Sequence, residues 1–185
     1  MLIIICGKSG SGKTTTAKLL SAYGYKKLVT DTSRPKRSGE VDGIDYNFRS
    51  YDEFKKLKID GKYAETVSYQ TIYGEWCYGS LKEFYTDSKE NRVIVLNPLG
   101  LKQVIGTVKK GNYKAFYLDL DEDLLLKRLK KRGDNIEEIN RRLQTDKVDF
   151  KDINLYTDYQ ICVKKDDTVQ DIVNKILSCI KKEEK

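Results

Sequence analysis

Eight consecutive residues, Gly7-Lys8-Ser9-Gly10-Ser11-Gly12-Lys13-Thr14, carry the sharpest chemical signal in the chain. Glycines at these spacings let backbone N–H groups turn inward around phosphate oxygens. Lys13 sets an ammonium against the terminal phosphates of a nucleotide, and the Thr14 hydroxyl is suited to ligate Mg²⁺. Thr15 follows in the first turn of a helix whose dipole adds to the attraction for an anion. Such a P-loop needs a strand entering it and a helix leaving it.

Both neighbours are present, which a chance Gly/Ser-rich turn would lack. Leu2 to Cys6 reads as a buried strand, and Lys13 to Ala22 as a helix with Thr16, Leu19, Leu20 and Tyr23 on one face. Further strands are predicted at Arg92 to Leu96, Lys114 to Leu120 and Tyr159 to Val163. Asp121 to Arg132 reads as a helix stopped at Gly133, and Ile136, Ile139 and Leu143 mark another helical face. Val169, Ile172, Val173, Ile176, Leu177 and Ile180 recur at helical spacing behind a cap at Asp167 or Thr168. Strands alternating with helices predict an α/β protein: three layers, α/β/α, around a mainly parallel sheet, with ligands outside the carboxyl ends of the strands. The stretch from about Val29 to Tyr85 breaks this rhythm with tyrosines, glycines and charges, and reads as an inserted subdomain that closes over an acceptor.

Composition narrows the partners. The 185 residues suffice for one core with an insertion, and a net charge of +7 favours an anionic ligand. No zinc-finger spacing, RNA-recognition signature or dense arginine block points to nucleic acid. Cys6, Cys77, Cys162 and Cys179 are widely spaced and the chain has no histidine, so they read as reduced, mostly buried thiols of a cytoplasmic protein rather than a zinc site. The apolar run Leu2 to Cys6 is too short for a membrane span or a signal-peptide core. The lysine- and tyrosine-rich composition suits an AT-rich genome, such as that of a low-GC bacterium or its phage. Nothing in the sequence sets an oligomeric state.

The loop alone does not choose among kinases, hydrolases and motors. The segment from Val29 to Phe48 does more: Thr30-Asp31-Thr32-Ser33-Arg34-Pro35-Lys36-Arg37-Ser38-Gly39-Glu40, followed by Gly43-Ile44-Asp45-Tyr46-Asn47-Phe48, closely resembles the acceptor-binding signature of guanylate kinases. The chemistry agrees, because Arg34 and Arg37 present planar forks to a dianionic monophosphate and Tyr46 adds a phenolic donor. An isolated R-x-x-R would read as a solvated basic loop. Ala64-Glu65-Thr66 matches the acidic residue with which the family reads guanine, where one carboxylate accepts from N1–H and N2–H₂ together. Trp76-Cys77-Tyr78-Gly79-Ser80 is similar to the family's Tyr-Gly-[ST] element, which implies Tyr78 on phosphate and Ser80 on the base; Trp76 reads as a packing anchor. The stretch from Glu65 to Tyr78 is several residues longer than in typical members, and Tyr73-Gly74 offers a less complete match. Asn97 stands where the family usually has an aspartate facing guanine. Its amide offers both a donor and an acceptor, and its other reading is a strand-ending turn before Pro98.

Leu129-Lys130-Lys131-Arg132-Gly133 and Ile139-Asn140-Arg141-Arg142-Leu143 resemble the family's two lid elements. The resemblance implies that Arg132 and Arg142 close over the transferring phosphoryl group, with Lys13 and Arg34 completing the catalytic set; Arg128, Lys131 and Arg141 read as solvated. It implies ATP with Mg²⁺ as donor at residues 7–15, and a nucleoside monophosphate, most simply GMP or dGMP, as acceptor. It also implies one domain over 1–185, divided into a core of about 1–29, 86–128 and 144–185, an acceptor-binding subdomain of about 30–85 and a lid of about 129–143. Two alternatives stay open. One is a kinase of the same fold for another nucleoside monophosphate or a sugar phosphate such as ribose 1,5-bisphosphate. The other is a non-catalytic protein-binding module, against which the intact Gly12, Lys13 and Thr14 count.

Overall fold

The structure is a computed structural model that describes residues 1–109 and 111–183. The chain runs through β1 (Leu2–Gly7), α1 (Lys13–Ser21), β2 (Lys26–Lys27), β3 (Asp31–Thr32), β4 (Asn47–Phe48), α2 (Tyr51–Ile59), β5 (Tyr63–Thr71) and β6 (Gly74–Leu81). After a 3-10 turn at Lys82–Tyr85 it continues as β7 (Arg92–Val95), α3 (Pro98–Ile105), β8 (Tyr113–Asp119), α4 (Glu122–Lys131), α5 (Ile136–Asp149), β9 (Tyr159–Cys162) and α6 (Val169–Glu183).

The central sheet has the order β2-β7-β1-β8-β9 and every pairing is parallel. β1 is buried along its whole length, which explains its unbroken apolar sequence: a strand covered on both faces has no polar side to alternate with. Ile3 and Ile5, with Val93, Phe116 and Leu118, pack on Ala17 and Leu20 of α1 and Ile172, Val173 and Ile176 of α6. Leu2, Ile4 and Cys6, with Ile94, Ala115 and Tyr117, pack on Leu101 and Val104 of α3 and on Phe150 and Ile153. Successive residues thus feed opposite helical layers, giving the predicted three-layer α/β architecture.

Local details differ from the sequence reading. Tyr23 is 44% exposed, because α1 ends at Ser21, and Ala17 takes the place given to it on the buried face. α6 is capped by Thr168, whose Oγ1 accepts from Asp171 N at 3.2 Å while its own N–H donates to Asp171 Oδ2 at 2.8 Å. Asp167 instead accepts from Lys164 N and Lys175 Nζ. Ile136 is 51% exposed, and the helix it begins continues to Asp149. The cysteines are free, but only Cys6 and Cys77 are buried and Cys162 is exposed.

The irregular stretch builds a second sheet of order β4-β3-β6-β5. Its centre is the buried carboxylate of Asp31, which accepts from Asn47 Nδ2 and Tyr63 OH at 2.8 Å each and from Arg49 Nε at 3.2 Å. α2, started by a Ser50–Glu53 capping box, lays Phe54 on Tyr63 with ring centroids 4.7 Å apart. Among the described residues no helix is long and apolar enough to cross a membrane.

Candidate active site

The two sheets face each other across a cleft of about 510 Å³, at the carboxyl end of β1. Gly7, Ser9, Gly10, Gly12, Lys13, Thr14 and Thr15 line it from one side. Gly12 precedes α1 with φ of +94°, a left-handed turn that L side chains resist; no side chain caps the helix and its first turn holds no acidic residue. The free N–H groups of that first turn are therefore open to an anion. Lys13 Nζ donates to Gly7 O at 2.6 Å and Lys8 O at 3.0 Å, bracing the loop across its mouth. Burial lowers the Lys13 pKa, while Asp146 opposes the shift. Lys8 and Ser11 do not line the cleft. Lys8 serves through its carbonyl, and Ser11 is buried behind the loop, its Oγ without a partner among the described residues.

Asp146 of α5 is a feature the sequence reading missed. Its Oδ2 accepts from Ser9 N at 2.9 Å, so a carboxylate already sits on a backbone N–H of the loop. Burial raises the Asp146 pKa, and the Ser9 hydrogen bond and the Lys13 charge oppose it. The chemistry of this donor set, inward N–H groups with Lys13 beside them and the Thr14 hydroxyl at the wall, fits a polyphosphate and its cation.

Thr30, Arg34, Arg37, Tyr46, Glu65, Tyr78, Gly79 and Asn97 line the opposite side. Arg34 is 2% exposed; its Nη2 donates to both Glu40 oxygens, at 2.8 and 3.0 Å, and its Nη1 to Pro35 O at 2.6 Å. Its guanidinium stands 5.5 Å from the Tyr46 ring centroid and 5.6 Å from that of Phe48. Burial pushes the Tyr46 phenol up to about 12, so it remains a donor at neutral pH. Burial, and then the nearby cations Arg34, Arg132 and Arg142, push the Arg37 guanidinium down to about 10. Guanidiniums crowded enough to disfavour one another suit a multiply charged anion.

Glu65 is the carboxylate of this wall. It is 4% exposed, with Oε1 accepting from Ser80 Oγ at 2.8 Å and Oε2 buried without a partner among the described residues. Burial pushes its pKa up to about 7 against the Ser80 hydrogen bonds. A Cβ at position 100 would lie 2.7 Å from Glu65 Oε2, so Gly100 leaves the room this oxygen needs. Ser80 stands behind Glu65 rather than at the wall, and Tyr85 OH holds its Oγ at 2.7 Å, a support the sequence reading did not include. Asn97 ends its strand as the cap of α3, Oδ1 accepting from Gly100 N at 2.7 Å, and it also lines the cleft, so its two readings coexist.

Arg132 and Arg142 reach the cleft from the C-terminal end of α4 and from α5. Arg132 pairs with Asp134, and Arg142 donates to Glu138 Oε1 at 2.8 Å and Asp134 Oδ2 at 3.0 Å. Arg128 and Arg141, read as solvated, line the cleft as well; Arg141 forms a fork with Glu138 through bonds of 2.9 Å each. Their spacing from Arg132 and Glu138, one helical turn, was the available signal. Trp76, read as a packing anchor, also forms part of the wall.

A parallel sheet with a P-loop at its first carboxyl end, opposed by an arginine cluster and a carboxylate-lined pocket, defines a phosphotransferase of the nucleoside monophosphate kinase class. The chain belongs to the guanylate kinase family, whose model matches residues 1–183. It is 33% identical over 186 residues to the guanylate kinase of Mycoplasmoides gallisepticum, covering 96% of this chain and 92% of that one. It is 32% identical to that of Caldanaerobacter subterraneus subsp. tengcongensis, over 97% of this chain and 86% of that one. The crystal structure of guanylate kinase from Anaplasma phagocytophilum shares the fold, with a TM-score of 0.72 at 20% identity over 99% of this chain and 85% of that one.

Proposed function

We propose that the protein transfers the γ-phosphoryl group of ATP to GMP or dGMP, yielding ADP and the corresponding diphosphate. The observation that carries the acceptor is Glu65, whose buried Oε2, in the cleft wall, has no donor among the described residues. A buried carboxylate oxygen is costly without one. Guanine brings N1–H and N2–H₂ side by side, whereas adenine presents an acceptor at N1, and uracil or thymine a single N3–H flanked by carbonyls.

In this reading residues of about 30–85 hold the acceptor and about 129–143 form the lid, on a core of about 1–29, 86–128 and 144–185. The N–H groups of residues 7–15 and Lys13 hold the donor phosphates. Arg34, Arg37, Tyr46 and Tyr78 hold the acceptor phosphate, with Thr30, Gly79, Ser80 and Asn97 shaping its pocket. Arg132 and Arg142 neutralise charge on the group in flight, where phosphoryl transfer gains most from fixed cations. The acceptor phosphate is already an anionic nucleophile, so no general base is required. The Thr14 hydroxyl is the side chain that would hold Mg²⁺, which when bound with ATP would supply charge neutralisation to the donor phosphates. Among the described residues no group of three or more His, Cys, Asp or Glu side chains could hold a metal ion. Closure of the lid excludes water as a competing acceptor.

A coupled ADP-release assay with Mg²⁺-ATP across GMP, dGMP, AMP, UMP, dTMP and ribose 1,5-bisphosphate tests the assignment. GMP and dGMP are expected to give the highest kcat/KM. Turnover of another acceptor with none of GMP or dGMP overturns it.

A further inference from the structure

The β5/β6 hairpin extends past the Glu65 pocket and touches the helix that carries Arg142. Tyr69 on β5 pairs in register with Trp76 on β6, so the two side chains leave the same face of the sheet. Tyr69 OH donates to Asp149 Oδ2 at 3.1 Å, and the Trp76 ring centroid lies 5.7 Å from the guanidinium carbon of Arg142. Arg142 and Asp149 are two turns apart on α5, and so project from one face of it. Tyr73, at the hairpin tip, stacks on the same indole with centroids 5.7 Å apart. The hairpin is built by the stretch from Glu65 to Tyr78, the one read from the sequence as longer than the family pattern.

The ion-pair partners of Arg142, Glu138 and Asp134, belong to its own lid segment and fix the guanidinium relative to that segment alone. A cation that stabilises a transferring phosphoryl group must also be fixed relative to the acceptor. An aromatic face can do this without spending the charge, because it attracts a cation electrostatically yet carries no full negative charge to compete with phosphate.

We propose that Trp76 is a positioning residue for phosphoryl transfer: with Tyr69 it ties α5 to the acceptor sheet and keeps Arg142 turned to the cleft. The proposal rests on the reading of Arg142 as a closing arginine.

Trp76→Leu is expected to lower kcat about 5- to 30-fold, with the KM for ATP unchanged. Trp76→Phe, which keeps a ring face, retains most of the activity. In an Arg142→Ala background, Trp76→Leu has no further effect, whereas a ring that merely stabilises the fold lowers kcat independently in both backgrounds. Trp76 is the sole tryptophan, so its emission reports the contact: it changes when GMP and an unhydrolysable ATP analogue bind, and Arg142→Ala removes that change. Tyr69→Phe removes only the hydroxyl that holds Asp149 and lowers kcat by about threefold, and with the emission change it decides the matter should Trp76→Leu fail to fold. Unchanged kcat in the Trp76 and Tyr69 variants, effects that multiply in the double variant, or an emission change indifferent to Arg142 overturns the proposal. If Arg142→Ala itself leaves kcat intact, the closing role of Arg142 fails instead.

Discussion

The two walls of the cleft, proposed above to take donor and acceptor, are built in opposite ways. The donor wall is one stretch of chain, Gly7 to Thr15, and its cation is held by carbonyls of the same loop. The acceptor wall gathers Arg34, Tyr46, Glu65, Tyr78 and Asn97 from separate strands and loops, and its side chains lean on others: Arg34 on Glu40, Glu65 on Ser80, Ser80 on Tyr85. Donor geometry is therefore a property of backbone conformation, whereas acceptor geometry is a property of a side-chain network. A change in the first should act on the chemical step, and a change in the second on binding.

The largest test of that difference sets Lys13→Ala against Arg34→Ala. Lys13→Ala is expected to lower kcat by about 10³-fold with little change in the KM for GMP, as for loss of a group that neutralises transition-state charge. Arg34→Ala should raise the KM for GMP by about 100-fold and leave kcat within a few-fold, because it removes ground-state phosphate binding. Steady-state kinetics on both variants decides; equal shifts in the same parameter erase the distinction between the walls.

Glu65 gives the next effect. Burial lifts its carboxyl to about 7, so the acid form gains as pH falls below that value. Guanine's paired donors need the ionised form, hence the KM for GMP should rise as pH falls, roughly tenfold from about pH 8 to about pH 6. The phosphate of GMP titrates in the same window. Glu65→Gln keeps the phosphate contribution and loses that of the carboxylate, so the difference between the two profiles is the measurement. Superimposable profiles would remove Glu65 from base reading.

The contrast between the walls also explains what the sequence disclosed. Gly7 to Thr14 is legible because contiguous residues fix their own geometry, and the strand at Leu2 to Cys6 because burial on both faces leaves an unbroken apolar run. Arg34 and Glu65 stood out through a long pattern rather than through local chemistry. Tyr85 behind Ser80, Asp146 on Ser9 and Trp76 beside Arg142 were hidden, since each contact depends on which face of an element meets a distant one. Ile136 and Leu143 suggested one orientation for α5, while the residues that meet the cleft are Arg141, Arg142, Thr145, Asp146 and, through Tyr69, Asp149. Thr168 against Asp167 was a matter of one residue, decided by the reciprocal bond to Asp171.

Asp146 breaks the tidy division, because it brings a carboxylate from α5 onto the P-loop. An anion on Ser9 N competes with a phosphate for the same donor. Asp146→Asn keeps the shape and removes the charge, and is expected to lower the KM for ATP by about threefold. Titration with ATP checks this; a raised KM would mean that the carboxylate helps to hold the bound donor and its cation.

The smallest effect concerns Asn97, where fold and site share one side chain. Its Oδ1 caps α3 through Gly100 N, so Asn97→Ala should cost about 1 kcal/mol, or about 2–4 °C in Tm for a chain of this size. Asn97→Asp keeps an oxygen at the cap and adds a charge that the helix dipole favours, so Tm should hold. That same charge would stand close to Glu65, since both Asn97 Oδ1 and Glu65 Oε2 border Gly100. Like charges resist joint ionisation, so Asn97→Asp should move the Glu65-dependent rise in KM to higher pH. The two variants therefore separate the jobs: Ala reports the cap through Tm, and Asp reports the pocket through the pH profile. An unchanged Tm for Asn97→Ala would leave the acceptor wall free of any residue that also caps its scaffold, and would bring it closer to the self-contained donor loop.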